Sequence, residues 1–177
     1  MTFDPAAAAA ELLRAAGIAA QIAETGGPGP AAEADGEAIL GGVSLRVVGV
    51  GWATVELDRA ATELASSGPW RIEPAQPDTL LGATARIARP VDGRPVAVLL
   101  EPSTEGRLAA FLARHGEAPA VLYLGPPDGG LASVVGRLAA AGVRTRSGEG
   151  PLGPAALVLG RSLLEPLVVV VGVPSGA

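Results

Sequence analysis

The residues able to do chemistry in this 177-residue chain are few. A single histidine, His115, stands in ARHGEAP with Glu117 two residues on, an imidazole and a carboxylate of the types used in general acid–base catalysis. The competing reading is a solvated helix end, where the helix dipole favours a cation. There is no cysteine, which excludes thiolate metal sites, cysteine nucleophiles and disulfides, and one histidine excludes any site needing two imidazoles from one chain. Three other polar groups sit on or beside apolar strands: Arg86 in ATARIARP, Glu101 in LLEP and Tyr123 in AVLYLG. An arginine beside a tyrosine suits a ligand carboxylate or phosphate. Each also has a structural alternative: Arg86 paired with a surface acid, Glu101 capping a helix, and Tyr123 buried with its hydroxyl tied to backbone.

Two glycine patterns fail on context. In GVGWAT, Gly49 and Gly51 imitate a dinucleotide fingerprint, but WATVEL continues as a strand where a helix would have to open. GPPDGG carries no Lys or Ser/Thr in the manner of a phosphate loop and reads as a connection. The indoles Trp52 and Trp70 are weighed as ligand-stacking groups against core packing; Trp52 falls on the side expected to face helices.

Composition bounds the rest. With 49% apolar and 18% charged residues and a mean hydropathy of +0.39, the chain has ample core material without staples. The formal net charge of −5 comes with no basic run, so neither nucleic acid nor an anionic membrane is an expected partner. PLVVVVGVP is too short to span a bilayer, and the start of the chain carries Asp4, Glu11 and Arg14 in place of a basic leader, so a cytoplasmic protein is expected.

A helix, a glycine and a strand recur around Gly17, Gly68 and Gly142. The second and third copies are each preceded by one strand and followed by two more: VVGVGWATV, helix, WRIEP, ATARIA, VAVLLEP, then AVLYLG, helix, VRTRS, AALVLG, PLVVVVG. The expected fold class is α+β, with tandem βαβββ modules at about 45–102 and 119–172 and a connecting helix at 104–115 that puts Leu108, Phe111 and Leu112 on one face. Residues 1–44 supply an N-terminal helix from Pro5, a short strand near Ile18 to Ala23 and a polar turn or linker, as a partial extra repeat.

In this order and spacing, the phrases GWATVELDRA, LLEP, RHGEAPAVLYL and LAAAGV resemble the vicinal oxygen chelate superfamily, which includes glyoxalases, bleomycin-resistance proteins and extradiol dioxygenases. The resemblance covers 45–172 and implies that the modules curl into a mixed-sheet cup. In the enzymes a divalent metal sits at the cup's centre, held by His, Gln or Glu from the first and last strands of each module. Matching the phrases places those four positions at Gly49, Val98, Val121 and Val169, none with a donor side chain. A shift of one residue gives Val48, Leu99, Ala120 and Val170, equally inert.

The resemblance therefore implies a member without metal or other cofactor, binding a small, largely apolar molecule. Strand alternation puts Val47, Gly49, Gly51 and Ala53 on the cup side and Val48, Val50, Trp52 and Thr54 on the other. The same parity adds Val98, Leu100, Val121, Tyr123 and Val169 to the cup, and Arg86 too if Ala85 and Ile87 lie under the helices. Two alternatives stay open. One is a lyase, isomerase or dioxygenase using displaced residues such as Glu101, His115 and Glu165, or Tyr123 with Arg86. The other is a ligand-free scaffold whose cup is filled by side chains. A homodimer is expected in either case.

Overall fold

A computed structural model describes residues 4–21, 37–91, 96–127, 130–160 and 166–172. The chain opens with helix α1 (Pro5–Ala15), which begins where Asp4 accepts from the amides of Ala6 at 2.9 Å and Ala7 at 3.3 Å and Pro5 occupies the first helical turn. Strands β1 (Ala19–Gln21) and β2 (Glu37–Leu40) follow, and β2 turns directly into the long β3 (Val43–Ala53). The two-residue turn is Gly41–Gly42, with φ of 56° and 75°, the left-handed pair that a tight hairpin needs. The strand at Glu37–Leu40 is not expected from the sequence, and residues 22–36, which hold most of the expected polar linker, lie outside the described residues.

The first module then runs α2 (Leu57–Ser67), β4 (Trp70–Pro74), β5 (Ala83–Pro90) and β6 (Val96–Pro102). Helix α3 (Arg107–His115) leads into the second module: β7 (Ala118–Gly125), α4 (Leu131–Ala140), β8 (Thr145–Gly150), β9 (Gly153–Val158) and β10 (Leu167–Val171). The sheet order is β4-β5-β6-β3-β7-β10-β9-β8, a curled half-barrel. In each module the last strand lies parallel to the first, and the modules join where β3 pairs antiparallel with β7. The expected βαβββ duplication is present.

Both faces of the central strands are buried, which is why β6, β7 and β10 read as nearly continuous apolar runs. One face packs beneath α1, α2 and α4 through Leu45, Val50, Leu99, Leu122 and Val170, against Leu12, Leu64 and Leu138. The other is the concave face of the half-barrel.

Strand β3 does not keep one parity along its length. Its pairing with β7 carries irregularities between Val47 and Gly49 and between Gly51 and Trp52. Val47 therefore packs on the helix side and Val48 on the concave side, the reverse of simple alternation, while Gly49, Gly51 and Ala53 remain concave.

Candidate functional site

Register brings the expected cup residues together. Gly49 faces Tyr123, which faces Val169; in the next row Val98 faces Gly51, which faces Val121. Leu100 stands opposite Ala53. The closest approach is at Gly51, where a Cβ would sit 2.7 Å from Val121 Cβ and 2.9 Å from Leu100 Cδ1. A side chain of any size there would push the two modules apart.

Arg86 is not with them. It pairs across the sheet with Leu99, a helix-side residue, and its guanidinium reaches Asp58 of α2 at 2.5 Å. The expectation of Arg86 in the cup assumed that Ala85 and Ile87 would go under the helices. They face inward beside Val98 and Leu100, because the concave side is also a dry core and the helix side lets a charge reach solvent at the start of α2.

Of the displaced catalytic set, the described members hold other contacts. Glu101 accepts the Leu57 amide at 2.8 Å and so caps the start of α2. His115 is exposed and lies against the Phe111 ring, with centroids 4.6 Å apart. Glu165 lies outside the described residues. Glu117 turns to the start of α2: it accepts from Thr54 Oγ1 at 2.6 Å, the Val55 amide at 2.9 Å and Arg59 Nη2 at 2.6 Å. The Arg59 and Thr54 hydrogen bonds hold its carboxyl at about 2, below its ordinary 4.5, so it remains an anion. Arg59, bound to Glu117 and Glu63, is pushed above its usual value. Glu117 is thus the counter-ion of a helix start and is unsuited to be a general base near neutrality.

The residues of the cup do not fit the metal that the superfamily enzymes carry. Glycine and three valines offer no oxygen or nitrogen side-chain donor, and among the described residues no three His, Cys, Asp or Glu lie close enough to hold an ion.

What the cup does contain is the chain itself. Residues 75–82 leave β4 and cross the concave face before β5 begins. Asp78, 1% exposed, accepts from the amides of Leu80 at 3.0 Å and Leu81 at 2.9 Å and from Tyr123 Oη at 3.3 Å. Burial pushes the Asp78 carboxyl above 3.8 against the pull of those donors; burial and the nearby Asp78 push the Tyr123 phenol well above 10. Leu80 and Leu81 pack into the cluster of Val98, Leu100, Val121 and Val169, and α3 adds Leu108 and Phe111. The segment is fastened to the far edge of the sheet: the Thr79 amide and hydroxyl both donate to the Glu149 carbonyl, the Glu149 amide donates to Thr79 Oγ1, and Arg146 Nη2 donates to the Leu80 carbonyl at 2.6 Å. Sequence reasoning missed Asp78. Its one signal is turn chemistry in QPDTLLGA, an aspartate placed to bind amides two and three residues on.

Outside the cup, a surface groove of about 460 Å³ lies between Val55, the residues after β6 and the Ala109, Leu112 and Ala113 face of α3.

Neither a family model nor a curated protein matches the sequence. Solved structures do. Methylmalonyl-CoA epimerase from Mycobacterium tuberculosis superposes with a TM-score of 0.63 at 18% identity, over 73% of this chain and 88% of that one. A Streptomyces coelicolor methylmalonyl-CoA epimerase in complex with 2-nitronate-propionyl-CoA gives 0.60 at 18%, over 73% and 98%. A hypothetical protein from Bacillus halodurans gives 0.59 at 16%, over 75% and 96%. With the duplicated modules, their edge-to-edge pairing and this likeness together, the chain has the vicinal oxygen chelate fold.

Proposed function

We propose that this protein is a metal-independent, non-catalytic binding module that takes a small, largely apolar molecule into its cup. The observation that carries the reading is the wall itself: Gly49, Val98, Leu100, Val121 and Val169 converge on one surface whose side-chain hydroxyl, among the described residues, is that of Tyr123. Such a wall acts by shape and burial, worth about 25 cal/mol per Å² of apolar surface before the costs of association. The solved relatives support small-molecule binding by this fold, since one is in complex with 2-nitronate-propionyl-CoA and another with methylmalonyl-CoA. Isothermal titration with small aliphatic acids, alcohols and single-ring aromatics tests the reading. One-to-one saturation by at least one of them, with a negative heat-capacity change and no effect of a chelator, is expected.

A ligand-free scaffold is the second reading, favoured by the complete burial of Val98, Leu100, Val121, Tyr123 and Val169. Failure of every compound to saturate the folded protein selects it. In either reading the protein is a homodimer, which light scattering would show as twice the mass of one chain.

A further inference from the structure

We propose that residues 75–82 form an intramolecular plug, seated where a bound molecule would sit, and that its withdrawal opens a site for a short aliphatic carboxylate. The proposal rests on the binding reading above and adds both a gate and a ligand class to it.

Three observations support it. The plug presents its groups as such a ligand would: the Asp78 carboxylate receives the Tyr123 hydroxyl, and two branched alkyl chains, Leu80 and Leu81, lie against Val98, Leu100, Val121 and Val169. An aliphatic acid offers the same carboxylate to Tyr123 and the same surface to the wall. The plug's polar tie to Tyr123 is weak. Its hydrogen bond to Tyr123 spans 3.3 Å, whereas its internal Asp78 bonds to the amides of Leu80 and Leu81 move with it. Finally, the side-chain fasteners that keep it in place stand at the edge of the sheet: the Thr79 bonds to Glu149 are exposed and the Arg146 bond to the Leu80 carbonyl is half-buried. Thr79 and Arg146 are exposed, and their bonds to the Glu149 backbone and the Leu80 carbonyl can be exchanged for bonds to solvent.

The test compares the full-length protein with its Thr79→Ala/Arg146→Ala variant, which loses the side-chain fasteners, retains the Thr79 amide bond to the Glu149 carbonyl and keeps the wall. The titrants are octanoate and, as the control lacking a carboxylate, 1-octanol. The variant is expected to bind octanoate at least ten-fold more tightly than the unaltered protein, and adding Tyr123→Phe should abolish its preference for octanoate over octanol. Amide hydrogen exchange on the unaltered protein gives an answer even if the variant does not fold: the Leu80 and Leu81 amides should exchange at least a hundred-fold faster than those of Val121 and Val169. Exchange of all four together, only on global unfolding, would overturn the plug. Equal octanoate affinity in both proteins would also overturn it while leaving the binding reading intact. A plug that opens in exchange, with no binding by either protein, would sink the binding reading and this proposal with it.

Discussion

Glu117 and Asp78 are both surrounded by hydrogen-bond donors, yet their surroundings push them in opposite directions. Glu117 shares its charge with Arg59, Thr54 and the Val55 amide at a partly solvated helix start, so its anion is favoured. Removing that charge with Glu117→Gln should cost about 1–2 kcal/mol at neutral pH. A carboxyl lowered from 4.5 to about 2 contributes stability that is complete above its unfolded value and lost as pH falls towards the folded one. The two unfolding curves should therefore converge as pH drops from 4.5 to about 2, which urea melts across that range would show. Asp78 behaves oppositely, because burial raises it above 3.8. The folded state holds its proton more tightly than the unfolded one, so the stability this group contributes falls as pH rises from 3.8 through the raised value. Asp78→Asn keeps an acceptor for the Leu80 and Leu81 amides and should gain on the unaltered protein over that rise. Asp78→Ala strands those amides and the Tyr123 hydroxyl and should cost about 3 kcal/mol or more. Of these residues, the inward direction of Tyr123 was legible from strand parity. Arg86 was not, because the choice of face rested on which side is apolar, and here both sides are.

At the scale of elements, the order of strands and helices was readable because each helix closes on a glycine and each strand is a short apolar run between turns. Two details were not. Strand β2 is four residues beside a polar stretch, and only its pairing with β3 across Gly41–Gly42 makes it a strand. The parity change at Val47 and Val48 comes from an irregularity in pairing, which depends on a partner strand and so leaves no mark on β3 alone. The joint between the modules gives a direct prediction. Gly51→Ala sets a methyl 2.7 Å from Val121 Cβ and should cost about 1–3 kcal/mol by overpacking. Gly42→Ala meets nothing within 4 Å, and its cost, about 1 kcal/mol, is the left-handed backbone alone. Thermal melts of the two variants separate crowding from strain.

For the whole molecule, the half-barrel is closed by its own chain. The connecting helix was legible as amphipathic through Leu108 and Phe111, but where that face lands is a property of the chain path, and the structure sets it in the concave cluster. Leu108→Ala should thus behave as a core deletion, costing about 2–5 kcal/mol. The resemblance, through phrase order, proposes Gly49, Val98, Val121 and Val169 as the positions that would hold a metal in the superfamily's enzymes, and the register of the strands brings them to one concave face. The account stands or falls on whether that convergence works without an ion. Native mass spectrometry of the freshly purified, full-length protein is the most direct test. The prediction is a metal-free mass that dialysis against a chelator leaves unchanged; one divalent ion per chain, removed by the chelator, would contradict it.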